Sequence, residues 1–285
     1  MSIVTLPAPD AAGTLAPALD AAERLLAGRR IAVLTGAGVS TDSGIPDYRG
    51  VGSPVHRRPM EITAFLGDES ARKRYWAGSH LGWKHFSAAE PNAGHLAIAE
   101  LEERGIAAGV ITQNVDGLHA RAGSRRVVEV HGAMRRVSCL SCGQTFARAD
   151  IAERMARENP WLDHPDTVRS GPDGDVPIDD ADRMIVPACT VCDGILKPDV
   201  VFFGEIVPQG VFTAARTMVR GADALLIAGS SLAVNSGIRL LDQAAKRRMP
   251  VVIVNRGETR GDRRASLKID AGTSEVLSAL AARLG

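Results

Sequence analysis

At 285 residues with 45% hydrophobic content, the chain can bury one large core and a small satellite lobe beside it. A formal charge of +1, with no basic run longer than three residues, gives no electrostatic footprint for nucleic acid. No apolar stretch approaches the roughly 20 residues that span a bilayer, so no membrane partner is expected.

In chain order, residues 1–15 read as a mobile arm. They lack the basic and apolar segments of a secretory leader and the arginines of a transit peptide, so a soluble, cytoplasmic location is the expectation. Residues 18–27 carry apolar positions at helical spacing and stop at Gly28. IAVLT (31–35) is a short β-rich run that breaks into glycine. Residues 51–90 are rich in Arg, His and aromatic residues, with weak helical periodicity and no strand signal. A helix is predicted over 93–105, then strands over 106–112 and 127–131. Further on, strands over 224–229, 251–255 and 267–270 alternate with helices over 211–222, 236–248 and 274–285. Apolar strands alternating with amphipathic helices predict a doubly wound, Rossmann-like α/β fold around a parallel sheet.

All four cysteines fall into two Cys-x-x-Cys pairs, Cys139/Cys142 and Cys189/Cys192. Reduced pairs of this kind hold a tetrahedral zinc; two redox dithiols are the other reading. Four thiolates leave no open coordination position, which makes such a zinc structural. The 46 residues between the pairs exceed the usual spacing, so the module carries an insertion, including the acidic loop 169–182. Segments 16–50, 91–134 and 197–285 are assigned to the α/β domain, and 51–90 with 135–196 to a smaller inserted lobe made of the zinc module and a helical segment. A cleft between two such lobes is a favoured ligand site.

Several strand ends carry polar residues that a core tolerates only when hydrogen-bonded or working on a ligand. Within LTGAGVSTDSGIPDYRG (34–50), Gly36-Ala37-Gly38 would let backbone amides approach a pyrophosphate. Yet Thr41 stands where the dinucleotide fingerprint has its third glycine, and no acid follows at the expected strand end, so a plain tight turn explains the run equally well. Asp47 and Arg49 would form an ion pair in a glycine-bounded loop that closes over a ligand, or a solvated turn. ITQNVDGLH (111–119) ends a strand with Gln113, Asn114 and Asp116, groups suited to ribose hydroxyls or a carboxamide, while Asn-x-Asp-Gly is also an ordinary turn. His131 closes VVEVH, placed for general-base work or for a structural hydrogen bond, and His119 is treated as a structural neighbour. LKPDVVFFGE (196–205) and GSSLAV (229–234) are extended edges able to sandwich a peptide, and Gly-Ser-Ser also suits a phosphate or ribose. VNRG (254–257) puts an Asn at one more strand end.

GAGVS, GIPDYRG, TQNVDGLH, HG, the two Cys-x-x-Cys pairs, KPDVVFFGE, GSSLAV and VNRG follow one another in the order of the sirtuin motifs, and the chain resembles that family from about residue 31 to 257. RYWA (74–77), EPNAGH (90–95), AGSRR (122–126) and PDGDV (172–176) are similar to the class II branch, which includes a mitochondrial lipoamidase and ADP-ribosyltransferase type. The resemblance implies NAD as a consumed co-substrate, one structural zinc on the four cysteines, and acylated-lysine proteins as partners. It implies that Gly36, Ala37, Gly38, Thr41, Ile45, Asp47, Tyr48, Arg49 and Thr273 line the NAD site, and that Gln113, Asn114 and Asp116 hold nicotinamide and its ribose. Gly229, Ser230, Ser231, Asn255, Arg256 and Gly257 would hold the phosphates and adenosine. His131 is the implied general base on the ribose hydroxyls, with Asn114 the second catalytic residue. Val201, Phe202, Phe203, Gly204 and Leu232 would flank the peptide and the acyl-lysine tunnel. The implied products are free lysine, nicotinamide and O-acyl-ADP-ribose.

Tyr48 stands where the family usually has Phe, keeping the ring and adding a hydroxyl. SHLGWKHF (79–86) lacks the Tyr-x-x-Arg pair with which desuccinylating relatives hold an acidic acyl chain, so an acetyl or a larger non-acidic group such as lipoyl is expected; Lys84 or His85 would have to substitute for an acidic one. Three other functions compete. A mono-ADP-ribosyltransferase would use the same site. A hydride-transferring dehydrogenase should show the full glycine fingerprint with its ribose-binding acid. A non-catalytic NAD or ADP-ribose reader has no need of a general base. The sequence carries no signal for oligomeric state.

Overall fold

The computed structural model describes residues 15–48, 59–162, 171, 176, 178 and 180–285. The expected arm up to residue 14, Arg49, and most of the acidic loop 169–182 lie outside the described residues. In order, α1 (Leu15–Leu26) leads into β1 (Ile31–Thr35), and α2 (Ile62–Gly67), α3 (Glu69–Ala88) and α4 (Ala93–Glu103) precede β2 (Ala107–Thr112). Next come α5 (Leu118–Arg121), β3 (Val127–Glu129), β4 (Gly132–Cys139), β5 (Thr145–Ala147) and α6 (Arg148–Glu158). The chain finishes with β6 (Leu196–Val200), α7 (Gln209–Arg220), β7 (Ala224–Ala228), α8 (Asn235–Lys246), β8 (Val251–Val254), β9 (Leu267–Ile269) and α9 (Thr273–Arg283).

Six strands form one sheet in the order β3-β2-β1-β7-β8-β9, every neighbour pair parallel. The chain winds one way from β1 and the other way from β7, so the switch point lies between them, where doubly wound sheets bind ligands. Side chains alternate across the sheet: Ile31 and Val33 join α1, α4 and α9 in one core, while Ala32 and Leu34 join α7 and α8 in another. Both faces being covered, the central strands β1, β2, β7 and β8 are near-continuous apolar runs.

A second, antiparallel sheet in the order β5-β4-β6 carries the small lobe, with α2, α3 and α6 packed on it around Phe65, Trp76, Met155 and Met184. Its strands cross the boundaries drawn from sequence at 134/135 and 196/197. β4 starts at Gly132, and β6 takes Lys197 to Val200 out of the large domain. Pro198 has no amide hydrogen to give a ladder, which suits β6 to its place at the edge of this small sheet. α3 is a 20-residue helix that sequence periodicity hardly shows. The unbroken run Tyr75 to Gly82 is buried all round, so no polar stripe marks its outer face. Asp68 starts it, its side chain accepting from the Ser70 amide at 2.8 Å. Among the described residues no helix is long and apolar enough to cross a membrane.

Candidate active site

At the switch point two glycine turns interlock. Gly36 donates to the Ala228 carbonyl at 3.1 Å and Gly38 to the Gly229 carbonyl at 2.9 Å. A Cβ on Gly36 would lie 2.8 Å from the Gly229 oxygen, and one on Gly38 2.9 Å from the Gly229 Cα, so neither position admits a side chain. Gly229 itself sits at φ +63°, which L-residues rarely adopt. The hydroxyls of Thr41 and Thr273 both donate to the Gly38 carbonyl at 3.1 Å, which fixes the Gly36–Gly38 turn further. Ile45 is buried behind this loop, and Tyr48 is 44% exposed at its described end, beside Asp47.

The end of β2 delivers its polar residues to the same place. Asn114 donates to Ser40 Oγ at 3.0 Å, and Ser40 donates to Asp116 Oδ2 at 2.8 Å. The other Asp116 oxygen accepts the Leu118 amide at 2.9 Å. Burial raises the Asp116 carboxyl above its ordinary range, against the opposing pull of these hydrogen bonds. Ser40 also lies 3.4 Å from His95 Nε2, and the His95 ring lies tilted 4.8 Å from that of His119, which bonds Thr35 at 2.8 Å. Burial pushes His95 down from 6.5 to about 4 and lowers His119 as well. Asn92 caps α4 and ties it to the β1 loop through the Val39 carbonyl at 2.8 Å and Ser43 Oγ at 3.0 Å. Ser40, Asn92 and His95 were not among the sequence candidates. Their signals were the Ser of GAGVS and the Asn and His of EPNAGH.

His131 lies between the lobes, just before β4. Its Nδ1 is 2.9 Å from the Gln113 carbonyl, which can only accept, so Nδ1 carries the proton. Nε2 is therefore a bare lone pair, and Ser236 Oγ, 3.0 Å away at the start of α8, donates to it. Burial lowers His131, with the Gln113 bond opposing, so the ring is neutral near pH 7. Ser236 is a further residue that sequence reasoning missed. Gln113 links this group to the β7 turn, its Oε1 accepting from Ser230 Oγ at 2.6 Å. Leu232, buried at φ +55°, is a rare left-handed non-glycine residue in the same turn. The Ser231 carbonyl accepts the Arg260 amide at 3.1 Å.

Asn255, Arg256 and Gly257 follow β8. Asn255 bonds the Arg256 carbonyl at 2.7 Å, the Gly257 amide meets the Asp270 carboxylate at 3.2 Å, and Lys268 holds the Asn255 carbonyl at 2.6 Å. On the other side, the Val201 amide donates to the His131 carbonyl at 2.8 Å. Phe202 is buried against Phe65 and Tyr75 with ring centroids 5.1 and 5.0 Å away, Phe203 is 44% exposed, and Gly204 sits at φ +78°.

The four cysteine sulfurs lie within 4.8 Å of one another, with Cys139 to Cys192 at 3.6 Å and Cys142 to Cys189 at 3.7 Å. Zinc–sulfur bonds of about 2.3 Å in a tetrahedron put sulfurs roughly 3.8 Å apart, so the cluster fits zinc. The amides of Ser141 and Val191 each point at a sulfur at 3.4 Å, as thiolate ligands require. β4 runs from Gly132, next to His131, to Cys139 in the cluster, so the two stand at opposite ends of one strand, and four thiolates leave no open position.

Fold and site together define a Rossmann-type, dinucleotide-binding protein with a zinc ribbon set beside the ligand crevice. The Sir2 family model matches residues 36–236, and the chain belongs to the Sir2 family, the sirtuins. It is 51% identical over 264 residues to NAD-dependent protein deacetylase 1 of Mycobacterium avium, covering 91% of this chain and 93% of that one. It is 44% identical over 261 residues to the NAD-dependent protein deacylase Sirt4 of Drosophila melanogaster, covering 90% and 84%. A solved Sir2 complex with a p53 peptide and NAD+ superposes with a TM-score of 0.73 at 31% identity, covering 91% of this chain and 95% of its own.

Proposed function

We propose that the protein removes acyl groups from protein lysine, consuming NAD and releasing nicotinamide and O-acyl-ADP-ribose. The observation that carries this is the His131 ring: neutral, with Nδ1–H locked on the Gln113 carbonyl and Nε2 left as an acceptor that the Ser236 hydroxyl meets. Once the acyl oxygen has bonded to the ribose carbon and nicotinamide has left, a ribose hydroxyl must lose its proton to add to the resulting imidate carbon, and Nε2 is the group placed to take it. Ser236 Oγ, 3.0 Å from Nε2, marks where such a hydroxyl can stand. Gln113, Asn114 and Asp116 are proposed to hold the nicotinamide riboside, the Gly36 and Gly229 turns with Thr41, Ser230 and Ser231 the phosphates, and Asn255 to Gly257 the adenosine. Ile45, Asp47, Tyr48 and Thr273 complete the lining, and Val201 to Gly204 with Leu232 flank the peptide.

The acyl chain is proposed to be non-acidic, acetyl or larger. Phe65, Tyr75 and Phe202 make an apolar wall, and Lys84 and His85, the groups that would have to meet an acidic chain, are exposed on α3. Likeness to the Drosophila Sirt4 deacylase supports placement in the class II branch. A reducing compartment, the cytoplasm, is proposed because the ribbon needs its four thiols free, as they are here.

The test is nicotinamide release from NAD with acetyl, butyryl, lipoyl and succinyl lysine peptides, beside His131→Ala. Acyl-dependent release that falls at least about 100-fold in the variant is expected. Release without any acyl peptide, with the ADP-ribose label appearing on protein, would replace the proposal by mono-ADP-ribosyl transfer. Tight NAD binding with no release at all would leave a reader.

A further inference from the structure

Lys197 is a charged residue buried in the small lobe that no step of the reaction uses. Its side chain is 8% exposed, with Nζ 2.6 Å from the Val200 carbonyl, 3.3 Å from the Pro198 carbonyl and 3.1 Å from Glu205 Oε2. The ammonium also lies 4.8 Å over the Phe202 ring. The same Glu205 oxygen accepts the Phe202 amide at 2.9 Å, and the Glu205 amide donates to the Phe202 carbonyl at 3.0 Å. One ion pair thus grips the 201–205 loop at both ends and sets the turn that Gly204 makes at φ +78°.

That loop joins the general base to the small lobe. The Val201 amide holds the His131 carbonyl at 2.8 Å. Phe203 trades backbone hydrogen bonds with the entrance to α2, its amide to the Met60 carbonyl at 3.2 Å and its carbonyl from the Ile62 amide at 2.9 Å. Phe202 forms the aromatic wall with Phe65 and Tyr75. The NAD-side turns hang instead on β1, β2, β7 and β8, and their anchoring hydrogen bonds run among themselves, away from Lys197 and Glu205.

Lys197 is buried and Glu205 is 31% exposed, and an ion pair that desolvates even one charge is a poor source of stability beside apolar residues of like volume. What the charges add is a defined position. We propose that Lys197 and Glu205 are positioning residues for the acyl-lysine substrate: the pair holds the Phe202–Glu205 turn as one wall of the peptide cleft and sets affinity for the peptide, not for NAD. This rests on the deacylase reading above.

The test uses the full chain as wild type, Glu205→Gln, and the apolar pair Lys197→Met with Glu205→Leu. Peptide KM, kcat, NAD affinity and Tm are measured, and binding of a fluorescent acyl-lysine peptide is followed by anisotropy, which needs no turnover. Losing a charge-assisted bond should raise the KM and the anisotropy Kd of Glu205→Gln about ten-fold, with NAD affinity and kcat within about two-fold of wild type. The apolar pair should regain the wild-type Tm and keep the weakened peptide binding. Recovery of peptide affinity along with Tm in the apolar pair would overturn the proposal, as would an equal loss of NAD affinity. Inactive wild type that still binds the peptide in a Glu205-dependent way would strike the deacylase reading alone.

Discussion

Lowering the pH from 7 to 5 is expected to cost the fold about 2 kcal/mol through His95 alone. The ring is wholly buried between α4 and the β1 loop and is pushed from 6.5 to about 4 by that burial. In the window between those values the unfolded chain binds a proton that the folded chain refuses, so stability rises with pH there. Each pH unit crossed inside that window is worth about 1.4 kcal/mol, giving roughly 3 kcal/mol when the pH falls below 4 and about 2 kcal/mol at pH 5, where most of the unfolded rings are charged. At pH 7 both states are largely neutral and the effect is nearly absent. Urea unfolding at pH 7, 6 and 5 reads it, with His95→Gln as the partner protein, since Gln can still accept from the Asn92 amide and donate toward Ser40. The wild type should lose about 2 kcal/mol more than the variant between pH 7 and 5. The raised Asp116 carboxyl contributes a slope of the opposite sign, but it is present in both proteins and cancels in the difference. Parallel slopes would refute the assignment of His95 as a buried neutral ring.

With His131 also lowered by burial, kcat/KM should stay level as the pH falls from 8 to 6.5 and decline only below that; an acidic limb centred above 6.5 would exclude His131 as the base in its resting form. Stripping the ribbon with a chelator and a thiol reagent should release about one zinc per chain and lower Tm, while a protein that loses no zinc and no Tm would show the cysteines to be idle. Arg148→Leu should leave Tm unchanged or raise it. The fully buried guanidinium stacks on Trp76 and Trp83 and bonds Ser79, yet among the described residues its Nε and Nη1 have no acceptor, and burial lowers it to about 10; a clear fall in Tm would refute that balance.

The large sheet was legible because parallel strands buried on both faces are bare apolar runs: IAVLT is β1, and the other five strands fall within a residue or two of their sequence bounds. The small lobe was not. α3 has no polar stripe, β4 opens Arg135 and Arg136 to water, and β6 places Lys, Pro and Asp in a strand that is mostly buried. The strand ends announced a site through Gln113, Asn114, Asp116 and His131, because amides and a carboxylate straight after a core strand need partners. Which partners they have was hidden in distance along the chain. His95 meets Ser40 across 55 residues, Asn114 meets it across 74, and Ser236 meets His131 across 105. No local pattern encodes such pairs; only the switch point of the sheet, which gathers four strand ends, brings them together.

The two histidines closest to this chemistry show how backbone alone assigns opposite tasks to one side chain. At His131 a carbonyl faces Nδ1, so the proton stays there and Nε2 is left to accept. At His95 an amide faces Nδ1: the Asn92 N–H donates to it at 3.3 Å, so the proton sits on Nε2, aimed at Ser40. Ser40 Oγ then accepts from His95 and Asn114 and spends its own hydrogen on Asp116, which uses every bond that a hydroxyl can make. Exchanging the two rings' tautomers would put a hydrogen against the Asn92 amide and take away the acceptor next to Ser236. The proposed base is therefore specified by the Gln113 carbonyl just past β2, the donor by the Asn92 amide that caps α4, and neither ring has a charged partner among these hydrogen bonds.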